Sequence, residues 1–307
     1  MKRAEKFHQE GHGAIMKQHE FAKPFQVADG SHFRLKEFDP ADTLGLKSKE
    51  HAKEALERGI GRLAKLQEKL YAQDRWAILM ILQGMDAAGK DSTIKHVLSG
   101  VNPQGCQVNS FKTPSAEELQ HDFLWRTSRC LPERGKIGIF HRSYYEEVLA
   151  VRVHPGLLAR EKIPEKLVTE NIWQKRFEDI NAFERYLSGN GIVVLKFFLH
   201  LSKKEQKRRF LERLEDPDKN WKFSVSDAQE RKHWETYMRA YEDMIQNTST
   251  KHAPWYVVPA DHKWFARLIV AEATIDAMEN LDLSFPKMDA EKRKELKDAR
   301  AALEHES

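Results

Sequence analysis

The sequence predicts an α/β protein: a five-stranded parallel sheet with helices on both faces, in three layers and one domain. Three observations carry that reading. Short apolar runs bounded by turn residues recur along the chain, as expected of strands buried on both faces. Segments with apolar residues at helical spacing separate them, as crossover helices would. The first of the strands also runs directly into a glycine-rich loop that opens a helix. No internal repeat is visible.

In chain order, residues 1 to 48 are polar, rich in His and Lys and interrupted by Pro24 and Pro40; they read as an arm over the domain surface. The spacing of His8, His12 and His19 fits no common metal site. From Ser48 to Tyr71 the positions Leu56, Ile60, Leu63, Leu66 and Leu70 predict a long amphipathic helix. Trp76 to Leu82 is an unbroken apolar run, the first strand. Gly84 to Lys90 follows, and Ile94, Val97 and Leu98 continue as a helix. Asn102 to Gly105 is a turn, and Gln107 to Phe111 a second strand. Ser115 with Glu118 forms a capping box that should open a helix. Lys136 to Phe140 is a third strand ending in His141-Arg142-Ser143, and Ser143 with Glu146 is a second box.

Trp173, Phe177, Ile180, Phe183 and Leu187 stripe the next helix, which Gly189-Asn190-Gly191 stops before a fourth strand, Ile192 to Leu199. Ser202 with Glu205 caps a helix holding Lys203, Lys204, Lys207, Arg208, Arg209 and Arg213. Asp216-Pro217-Asp218 breaks it, and Lys219 to Ser226 reads as a loop. A helix from Trp234 to Ile245, a fifth strand from Trp255 to Val258 and a helix from Trp264 to Met278 follow. Asp289 to Glu304 is a charged helix suited to the surface or to a partner chain. The expected division is an arm (1–48), a main domain (49–285) and a terminal helix (286–307).

The 307 residues suffice for a sizeable core, and 32% are charged with a net charge of +4. Cys106 and Cys130, the two cysteines, form neither a disulfide framework nor a metal pattern, which suits a reducing cytoplasm. No signal peptide is apparent, and no run approaches the ~18 apolar residues of a membrane span.

Gly84-Met85-Asp86-Ala87-Ala88-Gly89-Lys90 is a phosphate-binding pattern in its proper strand–loop–helix setting. The backbone N–H groups of such a loop surround an anionic oxygen, the helix N-terminus adds partial positive charge, and Lys90 adds a full one. Asp91 stands where Ser or Thr is usual, with Ser92 and Thr93 behind it, and Asp86 lies inside the loop. Two carboxylates beside a phosphate repel it unless a divalent cation lies between them. Asp91 would also favour the helix N-terminus by about 0.3–1 kcal/mol without any metal.

The stretches GMDAAGKDSTIKHV, FKTPSAEELQHDFLWR, IGIFHRSYYEEVL, VLKFFLHLSKKEQKRRFLER and DPDKNWKFSVSD together resemble the family-2 polyphosphate kinases, over residues 33 to 282. The resemblance implies a thymidylate-kinase-like phosphate-loop kinase fold with a helical lid at about 203–230. It implies phosphoryl transfer between inorganic polyphosphate and nucleotides with Mg2+, or Mn2+, in a homodimer or homotetramer. RLKEFDP and NTSTKHAPWYVVPADHKWFARL look most like the class accepting both nucleoside mono- and diphosphates. It assigns Asp86 and Asp91 to the metal and Lys90, Arg142 and Arg176 to catalysis. Lys112, Arg208 and Arg209 then join the loop residues in phosphate binding. His141 replaces the Asp of the family's Asp-Arg-Ser signature; a neutral imidazole cannot take that carboxylate's place, which shifts the metal onto Asp86 and Asp91. Trp221, beside Lys219, would stack on a base or anchor the lid.

Two other functions compete. An ATP-dependent nucleotide kinase shares this fold, but the basic lid and the lack of a second recognisable nucleotide site weigh against it. A nucleic-acid-binding module would also use basic helices, yet the pI of about 8.8 is modest and no base-stacking surface or recognition helix is evident.

Overall fold

A computed structural model describes residues 21–46 and 49–306. The readings of His8, His12 and His19 and of Ser48 as a helix start lie outside the described residues.

The central sheet comprises β1 (Gln26–Val27), β2 (Ala77–Gln83), β3 (Cys106–Ser110), β4 (Ile137–His141), β5 (Ile192–His200) and β6 (Trp255–Pro259). Their spatial order is β1-β6-β5-β2-β4-β3, parallel throughout except that β1 runs antiparallel to β6. The sheet therefore has six strands, not five. The added strand is two residues long and carries no alternating pattern; its place is set by pairing Gln26 with Tyr256 and Val27 with Trp255. The segment expected to lie over the surface also buries Phe25, Phe33, Leu35 and Phe38 in the core.

The helices are α1 (Lys49–Gln73), α2 (Lys90–Val97), α3 (Trp125–Ser128), α4 (Ala150–Val153), α5 (Pro155–Leu158) and α6 (Ile172–Gly189). After them come α7 (Lys203–Glu215), α8 (Val225–Glu230), α9 (Trp234–Thr248), α10 (Lys263–Glu279) and α11 (Ala290–Glu304). On one side of the sheet α10 packs on α1 and α2; on the other, α6 and α9 pack together and α9 meets α4. α11 is exposed along its length.

Two capping boxes work differently from expectation. Ser115 and Glu118 exchange both hydrogen bonds, 3.2 and 2.7 Å, yet only a 3-10 turn (Glu118–Gln120) follows. The Ser143 hydroxyl accepts from the Tyr145 N–H at 3.1 Å and starts a 3-10 helix (Tyr144–Val148). Residues 219–226, read as loop, hold a 3-10 turn and the start of α8.

β2 lies between β4 and β5, so the chain turns to one side after β2 and to the other after β4. Ligands of open α/β sheets bind at the carboxyl ends of strands beside such a reversal. Here those ends are Gln83, His141 and His200.

Candidate active site

Every residue of β2 is buried, which drives the chain straight into the loop at Gly84. A Cβ at Gly84 would sit 2.9 Å from the carbonyl oxygen of Leu199, so only glycine lets β2 and β5 approach there. Gly89 closes the loop at φ +106° and precedes α2, while Ala87 is held at φ +64°, a conformation costly to a residue with a side chain.

Lys90 is only 5% exposed. Its ammonium donates to the carbonyls of Gly84 (2.6 Å) and Met85 (3.3 Å). Among the described residues it forms no ion pair with a carboxylate. Burial, reinforced by the Arg142 cation, pulls its pKa down to about 8, against the opposing pull of Asp86, Glu146 and Asp91. A buried cation without a paired anion is costly.

Arg142 is the second cation at the loop. It too has a left-handed backbone, φ +64°, and its guanidinium donates to Asp86 Oδ1 at 2.8 Å with Glu146 3.9 Å away. Asp91 is exposed at the start of α2 and lies 3.2 Å from His141 Nε2. Burial and the Lys90 charge push the His141 pKa down to about 4. The contact is therefore between a carboxylate and a neutral imidazole, not an ion pair. Ser92 accepts from Arg267 at 2.7 Å, and Thr93 is buried in α2.

Beside the loop opens a cavity of about 140 Å³, lined by Lys112, Arg126, Arg142, Glu146, Glu147 and Glu161 among others. The Arg126 guanidinium donates to the Lys112 carbonyl at 2.7 Å, which fixes that wall. Arg176 reaches this cavity through Glu147, donating at 2.7 Å, with Asp179 and Glu161 3.8 and 4.0 Å away and the Phe123 ring beneath it. Burial and the Glu147 carboxylate raise the pKa of Glu161.

The structure thus gathers Gly84 to Thr93 with Arg142, and sets Lys112 and Arg176 around the adjoining cavity. The lid arginines separate. Arg208 is exposed and pairs with Glu205 (2.6 Å) and Glu212. Arg209, expected beside it in phosphate binding, is only 3% exposed and donates to the carbonyls of Ala87, Ala88, Ala260 and Asp261. The charge run concealed this, because α7 buries Gln206, Arg209 and Phe210 at helical spacing and two of those are polar. Trp221 is 74% exposed at the far end of the same segment.

The polyphosphate kinase 2 (PPK2) family model matches residues 46–286. The chain belongs to the polyphosphate kinase 2 family. It is 52% identical to an ADP-polyphosphate phosphotransferase of Rhodopseudomonas palustris, over 92% of this chain and 98% of that one. It is 44% identical to an AMP/ADP-polyphosphate phosphotransferase of Meiothermus ruber, over 86% and 95%. The crystal structure of polyphosphate kinase 2 from Arthrobacter aurescens superposes with a TM-score of 0.84 at 40% identity, covering 96% of this chain and 99% of that one.

Polyphosphate kinases work with a divalent metal, and the donor set here bears on which kind. Among the described residues no group of three or more His, Cys, Asp or Glu side chains is placed to hold an ion. Asp86 and Asp91 are the two carboxylates at the loop. That set fits a hard cation that completes its shell with phosphate oxygens and water, and does not fit an all-protein cage.

Among the described residues no helix is long and apolar enough to cross a membrane.

Proposed function

We propose that the protein transfers the terminal phosphoryl group of inorganic polyphosphate to ADP or GDP, and also to AMP or GMP, in a reversible reaction. The observation that carries this reading is Lys90, buried at the loop, without a carboxylate ion pair among the described residues and under the influence of the Arg142 cation. Family membership over nearly the whole chain supports polyphosphate as donor. The names of the Rhodopseudomonas and Meiothermus relatives support nucleotides as acceptors.

The polyphosphate end lies on the loop, held by backbone N–H groups and Lys90, with Arg208 and its neighbouring lysines along the chain. The acceptor's phosphates enter the adjoining cavity past Lys112 and Arg126, while Arg176 orders that wall through Glu147. An oxygen of the acceptor's terminal phosphate forms a new P–O bond to the transferred phosphorus as the bond to the shortened polyphosphate breaks. The protein's contribution is to position both anions and to supply positive charge where negative charge accumulates. Asp86 and Asp91 would hold Mg2+ or Mn2+, which offsets phosphate charge when bound. Residues 203–230 act as the lid, closing over the donor. The protein works in the cytoplasm without nucleic acid or membrane, as a homodimer or homotetramer, a state that sedimentation would establish.

Incubation with polyphosphate, Mg2+ and ADP or AMP, without ATP as donor, should yield ATP from ADP and ADP from AMP. Absence of product together with turnover when ATP is the donor would overturn the proposal.

A further inference from the structure

A loop that turns its N–H groups toward an anion must turn the carbonyls of the same peptides away, because the trans peptide is planar. Those outward carbonyls, if buried, need donors of their own. In this protein α7 supplies them from two side chains three residues apart. Gln206 Nε2 donates to the Asp86 carbonyl at 2.9 Å. Arg209 Nη1 donates to the Ala87 and Ala88 carbonyls at 2.9 and 3.1 Å, and its Nη2 ties them to the end of β6 through Ala260, at 2.6 Å. Both side chains are buried, with 1% and 3% exposure.

The geometric consequence is direct. Holding the Asp86 and Ala88 carbonyls on the α7 side aims the Ala87 and Gly89 N–H groups to the opposite side. The Ala88 N–H is retained inside the loop by the Met85 carbonyl, at 3.1 Å. The left-handed Ala87 is the residue that most needs such external support.

Gln206 has a second partner. Its Oε1 accepts from Arg231 Nη1 at 2.7 Å, and the same nitrogen donates to the Lys203 carbonyl at 3.1 Å. Arg231 directly follows α8, the last helix of the lid segment. An amide is suited to this relay, since one end accepts from a guanidinium while the other donates to a carbonyl; a carboxylate can do only the first.

We propose that Gln206 is a positioning residue that couples the lid to the phosphate loop, passing the seating of Arg231 to the Asp86–Ala87 peptide. Its target then includes the Asp86 carboxylate, which the Arg142 guanidinium also holds. The inference rests on the reading of that loop as the phosphate site.

The test is a kinetic double-mutant cycle on the full chain with Gln206→Leu, Arg231→Met and both together. Each is assayed for polyphosphate-dependent phosphorylation of ADP and for thermal unfolding. Gln206→Leu should lower kcat by about 10- to 100-fold, the effect of a loop misplaced by a fraction of an ångström. The KM for ADP should stay within about twofold, because the acceptor cavity is untouched. Gln206→Glu should not restore kcat, since it retains the Arg231 contact but loses the donor. Arg231→Met should lower kcat less, and the double variant should be no worse than Gln206→Leu alone. Multiplying losses would show that Arg231 acts elsewhere, and wild-type kcat in Gln206→Leu would remove the residue from the reaction. Should Gln206→Leu not fold, Arg231→Met must still lower kcat, and an unchanged value there overturns the coupling. A wild-type protein without polyphosphate-dependent turnover would instead sink the underlying reading of the loop.

Discussion

Two buried lysines divide the molecule into a part built for stability and a part built for a ligand. Lys196, in the middle of β5, is 0% exposed, and its ammonium meets Glu184 at 2.6 Å, the Thr248 carbonyl at 2.7 Å and the Tyr145 hydroxyl at 3.0 Å. Glu184 in turn accepts from Tyr144 at 2.8 Å and Tyr145 at 2.6 Å. Burial lowers the Lys196 pKa and Glu184 pushes it back. Lys90 is buried to nearly the same degree, but among the described residues its ammonium donates to two backbone carbonyls and forms no ion pair, with the Arg142 cation acting against the more distant Asp86, Glu146 and Asp91. One site is closed with its own anion; the other, on the proposed function, takes its anion from outside. The difference teaches that a buried charge marks a binding site when its counter-charge is missing, and marks a scaffold when it is present.

Breaking the comparison at Asp86 and Asp91 should produce the largest change in turnover. On the proposed function, Asp86→Asn or Asp91→Asn should each lower kcat by roughly 100-fold at fixed Mg2+ while the unfolding midpoint holds, since each would remove a cation ligand and no core contact. His141→Ala should be much milder, because a neutral imidazole brings no charge to Asp91. Equal damage from His141→Ala and Asp91→Asn would return His141 to the centre of the site.

On the scaffold side, Lys196→Met should destabilise the fold by about 3–5 kcal/mol in urea unfolding, because it strands the Glu184 carboxylate in the core. Adding Glu184→Leu should recover most of that loss. A Lys196→Met protein as stable as wild type would mean that the pair is not held as described.

The lid sharpens the contrast between exposed and buried cations. Arg208→Ala should raise the polyphosphate KM by a few-fold and flatten its salt dependence, with stability changed by about 0–1 kcal/mol. Arg209→Ala should lower both kcat and the unfolding midpoint, since it strips donors from four carbonyls, three of them in buried contacts. Identical behaviour of the two variants would mean that the buried and the exposed arginine do not differ in role.

The smallest effect is on pH. Lys90 loses its proton near pH 8 in the free enzyme. The apparent kcat/KM for polyphosphate should therefore decline as pH rises through 8, because the neutral amine cannot pair with phosphate. Its effect on folding has the opposite sign: the folded pKa lies below the ordinary 10.5, so this group's contribution to stability grows between pH 8 and 10.5. A pH profile flat to pH 10 would place the Lys90 pKa at its ordinary value.

Much of this was legible from local pattern alone. The β2 run, the loop and the start of α2 are contiguous, so strand, cradle and cation could be read together, and the other long strands announced themselves as apolar runs. What escaped depends on contacts between distant segments. β1 exists only because Gln26–Val27 finds the free edge of β6. Lys196 and Glu184 sit on a strand and a helix, where neither hydropathy nor spacing pairs them. Ser115–Glu118 makes a correct local box, yet only a 3-10 turn follows it, so the box alone does not dictate a helix. The burial of Arg209 escaped for a related reason: nothing local to α7 reveals that the carbonyls of Ala87 and Ala88 lie against it.

The most direct test of the distinction is thermal unfolding of wild type and Lys90→Met, each with and without polyphosphate. Without polyphosphate the variant should unfold at the wild-type temperature or above it, since it removes an uncompensated buried charge. Polyphosphate should raise the midpoint of wild type in proportion to its occupancy and leave the variant nearly unmoved. A Lys90→Met protein that is markedly less stable without ligand, yet still stabilised by polyphosphate, would show that Lys90 belongs to the scaffold as Lys196 does, and would contradict the account.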